Sequence, residues 1–152
     1  MSKSELRVAA SKEALKSVYY VLIGIAVAEA LNRVFLENGQ FLGLSVLTAP
    51  YVARLLLLFA FLPTITRFVH GASIHLGVVG THRLKPLYDF IGFFLQAILF
   101  YIMALSIDNV IRFTGAFVLL LAADVLWILI LRLVATQSWV SPKGSGSLVI
   151  HC

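Results

Sequence analysis

Four apolar stretches, each about as long as a helix must be to cross a bilayer, follow one another with short polar connections. They cover residues 18–36, 41–65, 87–107 and 113–134. A backbone in hydrocarbon must satisfy its own hydrogen-bonding groups, and a helix does so within itself. The predicted fold class is therefore an all-α membrane protein, a bundle of four transmembrane helices. Of the 152 residues, 61% are hydrophobic and only 12% charged. Soluble domains are about half apolar and about a quarter charged, and a soluble fold of this size could not hide so much apolar surface.

Residues 1–17 are polar and basic, with Lys3, Arg7, Lys12 and Lys16 interspersed with Leu6, Val8, Ala10, Ala14 and Leu15. This pattern predicts a short amphipathic N-terminal helix on the membrane surface. Tyr19 and Tyr20 then stand at the interfacial level expected of tyrosine. Glu37-Asn38-Gly39-Gln40 and Asp108-Asn109 read as turns. The second apolar stretch gives way at Thr64 to His70, so its helix is expected to leave the membrane there and continue to residue 74. Residues 77–85 form a loop, and Pro86 suits the first turn of the next helix. Residues 135–152, with the run Ser141-Pro142-Lys143-Gly144-Ser145-Gly146-Ser147, read as a flexible tail. Ala26-Val27-Ala28 has the form of a signal-peptide cleavage site, but the charged segment before it is long for that role.

The formal charge of +5 does not imply nucleic acid as a partner, because the basic residues flank apolar spans. There they set topology and attract anionic headgroups. The N-terminal segment, the second connection (Arg67, Arg83, Lys85) and the C-terminal end (Arg132, Lys143) are basic, whereas the first turn has no basic residue. Four spans bring these segments to one side, which predicts cytoplasmic N and C termini. The membrane expected is a bacterial inner membrane. Cys152 stands alone and last, so it forms no internal disulfide and fits no prenylation motif.

Each stretch carries a strongly polar residue in its interior: Glu29 and Arg33, Arg54, Gln96 and Asp124. A charge at the centre of a spanning helix costs about 2.5–3.5 kcal/mol. These side chains are therefore expected at similar depth, facing inward in one polar network. Two acids and two arginines would make it neutral. Such a network serves either to fix helix order or to pass ions. A second cluster, Arg67, His70, Asp89, Arg83 and Lys85, is expected at the cytoplasmic end, with a bridge between Arg67 and Asp89. It acts as an interfacial anchor or as a gate or headgroup site.

No metal or other cofactor is expected. His70 and His75 are five residues apart, whereas ligands sharing a helical face stand three or four apart. No phosphate loop, paired cysteines or nucleophile signature appears, so the chain does not read as an enzyme. Gly24 with Ala28, Ala26 with Ala30, Gly92 near Ala97, and Gly115 with Ala122 offer close helix contacts. Four short helices enclose little space, so a homo-oligomer is expected.

Residues 20–41, with Ala28-Glu29 inside the span and Glu37-x-Gly39 after it, resemble the first helix of small multidrug resistance transporters. The resemblance implies proton and drug binding at Glu29. It covers one helix of four, and Arg33, Arg54, Asp124 and the basic second loop depart from that pattern. The function expected from the sequence is an oligomer in the lipid bilayer that forms or gates an ion-permeable path, or perturbs the membrane when triggered. The alternatives are a non-conducting anchor or sensor for a soluble partner at the cytoplasmic face, and a proton-coupled transporter using Glu29 or Asp124.

Overall fold

The computed structural model describes residues 3–37, 39–78 and 86–140, with side-chain detail for 9–37, 39–43, 45–48, 51–74, 90–130 and 132–133. Helix α1 spans Lys3–Phe35. Strands β1 (Leu36–Glu37) and β2 (Gln40–Phe41) and a 3₁₀ turn over Gly43–Leu47 follow. Then come α2 (Ala49–Val78), α3 (Pro86–Leu105) and α4 (Val110–Val140).

The expected surface helix over residues 1–17 is not a separate element, because α1 runs unbroken for 33 residues. No proline or glycine falls between Lys3 and Ile23, and the alanines, lysines and leucine around Ser17 all favour helix. At Phe35 the chain turns back in a two-residue-per-strand hairpin that pairs Leu36 with Phe41 and Glu37 with Gln40. The Leu42 amide donates to the Phe35 carbonyl at 2.9 Å, satisfying one of the acceptors left open at the helix end. Gly39 has φ +79°, which a residue with a Cβ adopts only at a cost. Gly39→Ala is accordingly expected to destabilise by about 1–2 kcal/mol, and Gly39→Asn by less. Thermal unfolding in detergent checks this, and equal melting of wild type and Gly39→Ala would contradict it.

The second helix begins at Ala49, eight residues later than the sequence suggested. The intervening residues are held as a compact turn. The Ser45 hydroxyl donates to the Leu42 carbonyl and the Thr48 hydroxyl to the Ser45 carbonyl, while Val46 is buried. Pro50 therefore falls in the first turn of α2, where its missing N–H is no loss. Pro63 lies inside α2. Nearby, the Thr64 and Thr66 hydroxyls donate to the carbonyls of Ala60 and Leu62. Between α3 and α4, the Asn109 side chain accepts from the Arg112 amide and caps the start of α4. Helix α4 continues to Val140, past the boundary expected at residue 134.

Among the described residues, three helices are long and apolar enough to cross a membrane, over Ala9–Phe35, Tyr51–Ile74 and Val110–Ile130. The apolar part of α3, Phe90–Leu105, is shorter. At 1.5 Å per residue it reaches roughly 24 Å, against about 30 Å of hydrocarbon. Helix α3 nevertheless buries one face, through residues such as Phe93, Gln96, Phe100 and Met103, while its other face is exposed. It packs extensively on α1 and α4, whereas α2 and α4 barely touch.

Phe61, Phe68, Phe100 and Phe113 form an aromatic cluster joining α2, α3 and α4, with ring centroids 5.4–6.4 Å apart in edge-on geometry. Met103, Ile107 and Leu120 are fully buried among the core residues. Of the small-residue pairs, Ala26 and Ala30 bury completely and Gly92 and Ala97 bury in α3, while Gly24, Ala28, Gly115 and Ala122 face outward. Tyr19, expected at the interfacial level, is buried within the bundle. It is 1% exposed, and its ring lies 5.2 Å from that of Phe93. Tyr20 takes the exposed position and meets the Ser73 hydroxyl at 2.6 Å.

Candidate functional site: the cleft between α2 and α4

Glu29, Arg33, Arg54, Gln96 and Asp124, expected in one network, fall into three separate groups. On α1, the Arg33 Nε donates to Glu29 Oε1 at 2.6 Å, a pair one helical turn apart and only partly buried. Arg54 lies over the Tyr51 ring at 5.3 Å, and the Tyr51 hydroxyl donates to Glu37 at 2.5 Å. That contact ties the start of α2 to the hairpin. Across α3 and α4, Gln96 Nε2 donates to Asp124 Oδ1 at 3.0 Å.

These groups do not share a depth. Tyr19 packs on Phe93, so Gln96, one turn further along the parallel α3, is level with about residue 22 of α1. Glu29 lies seven residues beyond that, roughly 10 Å away along the axis. Arg54 is nearer still to the hairpin. The single network at one level is thus replaced by two groups toward the hairpin end and one toward the end that carries the termini. The reason is register: α3 is short and packs parallel to α1 from Leu15 upward, with Leu15, Val18 and Tyr19 against Phe90, Phe93 and Phe94.

The loose seam between α2 and α4 is a cleft of about 270 Å³ lined by Arg67, Phe68, Gly71, Ala72, Phe93, Asp124, Trp127 and Ile128. Asp124 stands on the inner stripe of α4, following Phe113, Ala116 and Leu120 at helical spacing. Its carboxylate therefore enters the cleft from one wall and Arg67 from the other. Among the described residues no basic group comes within ion-pair distance (4.0 Å) of Asp124. Gln96 is 92% buried by its 8% exposure, and its Oε1 has no hydrogen-bond partner. The Tyr19 hydroxyl, buried beside Phe93, also lacks one. Buried polar atoms without partners are uncommon and concentrate where something polar is accommodated.

Arg67 was expected to bridge Asp89, whose side chain lies outside the described residues, as do Arg83 and Lys85. His70 is exposed on α2 and lines the outer side of that helix together with Arg67. Among the described residues no three histidine, cysteine, aspartate or glutamate side chains come together as a metal site.

Two residues of the site escaped the sequence reading. Trp127 closes one side of the cleft and covers Gly92, where a Cβ would lie 2.7 Å from the indole. Its position one turn after Asp124 on the same helical face was the available signal. For Tyr19 the sequence indicates only an interfacial level; its burial beside Phe93 depends on the packing of α1 on α3.

The fold and the site together define a class, that of helical membrane proteins: among the described residues, three helices of crossing length, a shorter apolar helix, and a cleft holding Arg67 and Asp124 between the loosely packed α2 and α4. Compared with protein-family models, characterised proteins and solved structures, the chain matches none.

Proposed function

We propose that this chain forms or gates an ion-permeable path in the membrane, as an oligomer, with the cleft between α2 and α4 as its charged part. The observation that carries the reading is Asp124: a carboxylate inside a candidate span, facing a cleft, held by one amide donor and by no cation among the described residues. An ionised carboxylate at such depth is costly unless a proton or cation joins it. Asp124 is therefore the group that exchanges ions. Arg67, across the cleft, moves toward or away from it and sets whether the path is open. Glu29 and Arg33 neutralise each other along α1 and serve to hold that helix. The basic residues of the terminus-bearing end put that end in the cytoplasm.

Ion release from dye-loaded liposomes containing the purified protein tests the reading. Wild type should leak ions, Asp124→Asn should change the rate by about tenfold or more, and Glu29→Gln should leave it within about twofold. A tenfold change in rate corresponds to about 1.4 kcal/mol, less than the roughly 2.5–3.5 kcal/mol that a charge costs at the centre of a spanning helix. Absence of flux over a range of pH and voltage would overturn the reading and favour a non-conducting subunit. Flux only under a proton gradient, lost in Asp124→Asn, would make it a proton-coupled transporter.

A further inference from the structure

The outer side of α2 carries a shallow, open groove lined by Phe59, Leu62, Pro63, Thr66, Arg67 and His70. These residues recur every three or four positions, so they form a single stripe along the helix. The stripe is graded. Phe59, Leu62 and Pro63 make its apolar part toward mid-membrane. Thr66, Arg67 and His70 make its polar part toward the terminus-bearing end, where the span ends at Ile74. Phe59 is 65% exposed, and Arg67 and His70 are also exposed.

We propose that this groove binds an anionic phospholipid, its acyl chain along Phe59, Leu62 and Pro63 and its phosphate on Arg67 and His70. Arg67 lies seven residues inside the end of the span, roughly 10 Å along the axis. An exposed guanidinium at that depth extends toward the headgroup layer, where an anion is its favoured partner. Among the described residues no carboxylate comes within ion-pair distance of it. A lipid phosphate supplies two oxygens to the planar guanidinium fork. The apolar stretch directly below accommodates a chain attached to that phosphate, which a free phosphate ion would leave empty. The protein's formal charge of +5 adds to the attraction for an anionic lipid. Arg67 also lines the cleft that holds Asp124 and Trp127. A headgroup seated on Arg67 therefore holds its charge away from Asp124. The proposal does not depend on ion passage, and its test reads lipid proximity instead of flux.

Trp127 and Trp139 are the two tryptophans of the chain. Trp139→Phe thus leaves Trp127, on the cleft that shares Arg67, as the sole reporter. This protein is placed in phosphatidylcholine vesicles containing a minor share of brominated phosphatidylglycerol or, in parallel, of brominated phosphatidylcholine. Brominated phosphatidylglycerol is expected to quench Trp127 as though enriched about fivefold. Arg67→Ala combined with His70→Ala should abolish the preference. Arg67→Lys should keep most of it, and Arg112→Ala at the opposite end should leave it intact. Equal quenching by the two lipids in the otherwise unaltered protein would overturn the proposal without any variant having to fold. Retention of the preference in the double variant would overturn it as well.

Discussion

Phe100→Ala is expected to lower the unfolding temperature of the detergent-solubilised protein by roughly 6–12 °C, at about 2–4 °C per kcal/mol for a chain of this size. Phe100 is fully buried in α3. Its ring meets Phe61 at 6.2 Å and Phe68 at 5.4 Å, both edge-on and both from α2. Few other contacts hold α2 to α3, so truncation opens a cavity where the bundle has least to spare. Phenylalanine-to-alanine changes in tight cores cost about 3–5 kcal/mol. The lower figure applies here, because lipid is as apolar as the core and the loss is one of packing, not of burial from water. Exposed Leu95, on the same helix, is the control. Leu95→Ala should change the melting temperature little, and equal losses for the two variants would show that the aromatic cluster does not bind α2.

Gly92→Ala is expected to destabilise the protein, although alanine is the better helix former by about 1 kcal/mol. The added Cβ would stand 2.7 Å from Trp127 Cε2 and 2.9 Å from Cζ2. Real Cβ atoms do not approach so closely, so the indole or the whole of α4 must move. Overpacking of this kind costs about 1–3 kcal/mol, which outweighs the gain in helix propensity. In a Trp127→Leu background the obstacle is gone, and the same Gly92→Ala change should become stabilising. A double-mutant cycle on unfolding in detergent reads this reversal of sign. The contact between α3 and α4 would be wrongly assigned if Gly92→Ala stabilised both backgrounds alike. Because Trp127 borders the cleft, Gly92→Ala should also alter ion release wherever wild type shows it.

How much of the site could be read in advance depends on the spacing involved. Glu29 and Arg33 are four apart on one helix, and that periodicity alone brings them together. Gln96 and Asp124 are 28 residues apart. Their meeting requires α3 and α4 to adopt one rotation and one register, which no local pattern encodes. Arg54 looked central in its apolar stretch because that stretch was counted from Phe41. The hairpin, Gly39 with its positive φ and the 3₁₀ turn consume the first residues, so Arg54 ends near Tyr51 and Glu37 instead. Tyr19 and Tyr20 are adjacent and chemically alike. Only the packing of α1 on α3 decides that the first is buried against Phe93 and the second meets Ser73.

The sequence by itself determined that the chain is built from apolar helices suited to a membrane; that three of them reach crossing length and the apolar part of α3 is shorter came from the structure. Apolar length and the scarcity of charge are properties of each segment alone, and hydrocarbon permits few other backbones. It also determined which polar residues would lie among those helices. Which of them meet was decided only by the tertiary structure. Helix rotation and axial register turn a supposed single network into three separate groups, and the loose contact of α2 with α4 leaves Asp124 and Arg67 facing one cleft. The physical reason is that a helix fixes neighbours three and four residues away, whereas contacts between helices depend on how bulky side chains such as Phe100 and Trp127 interlock.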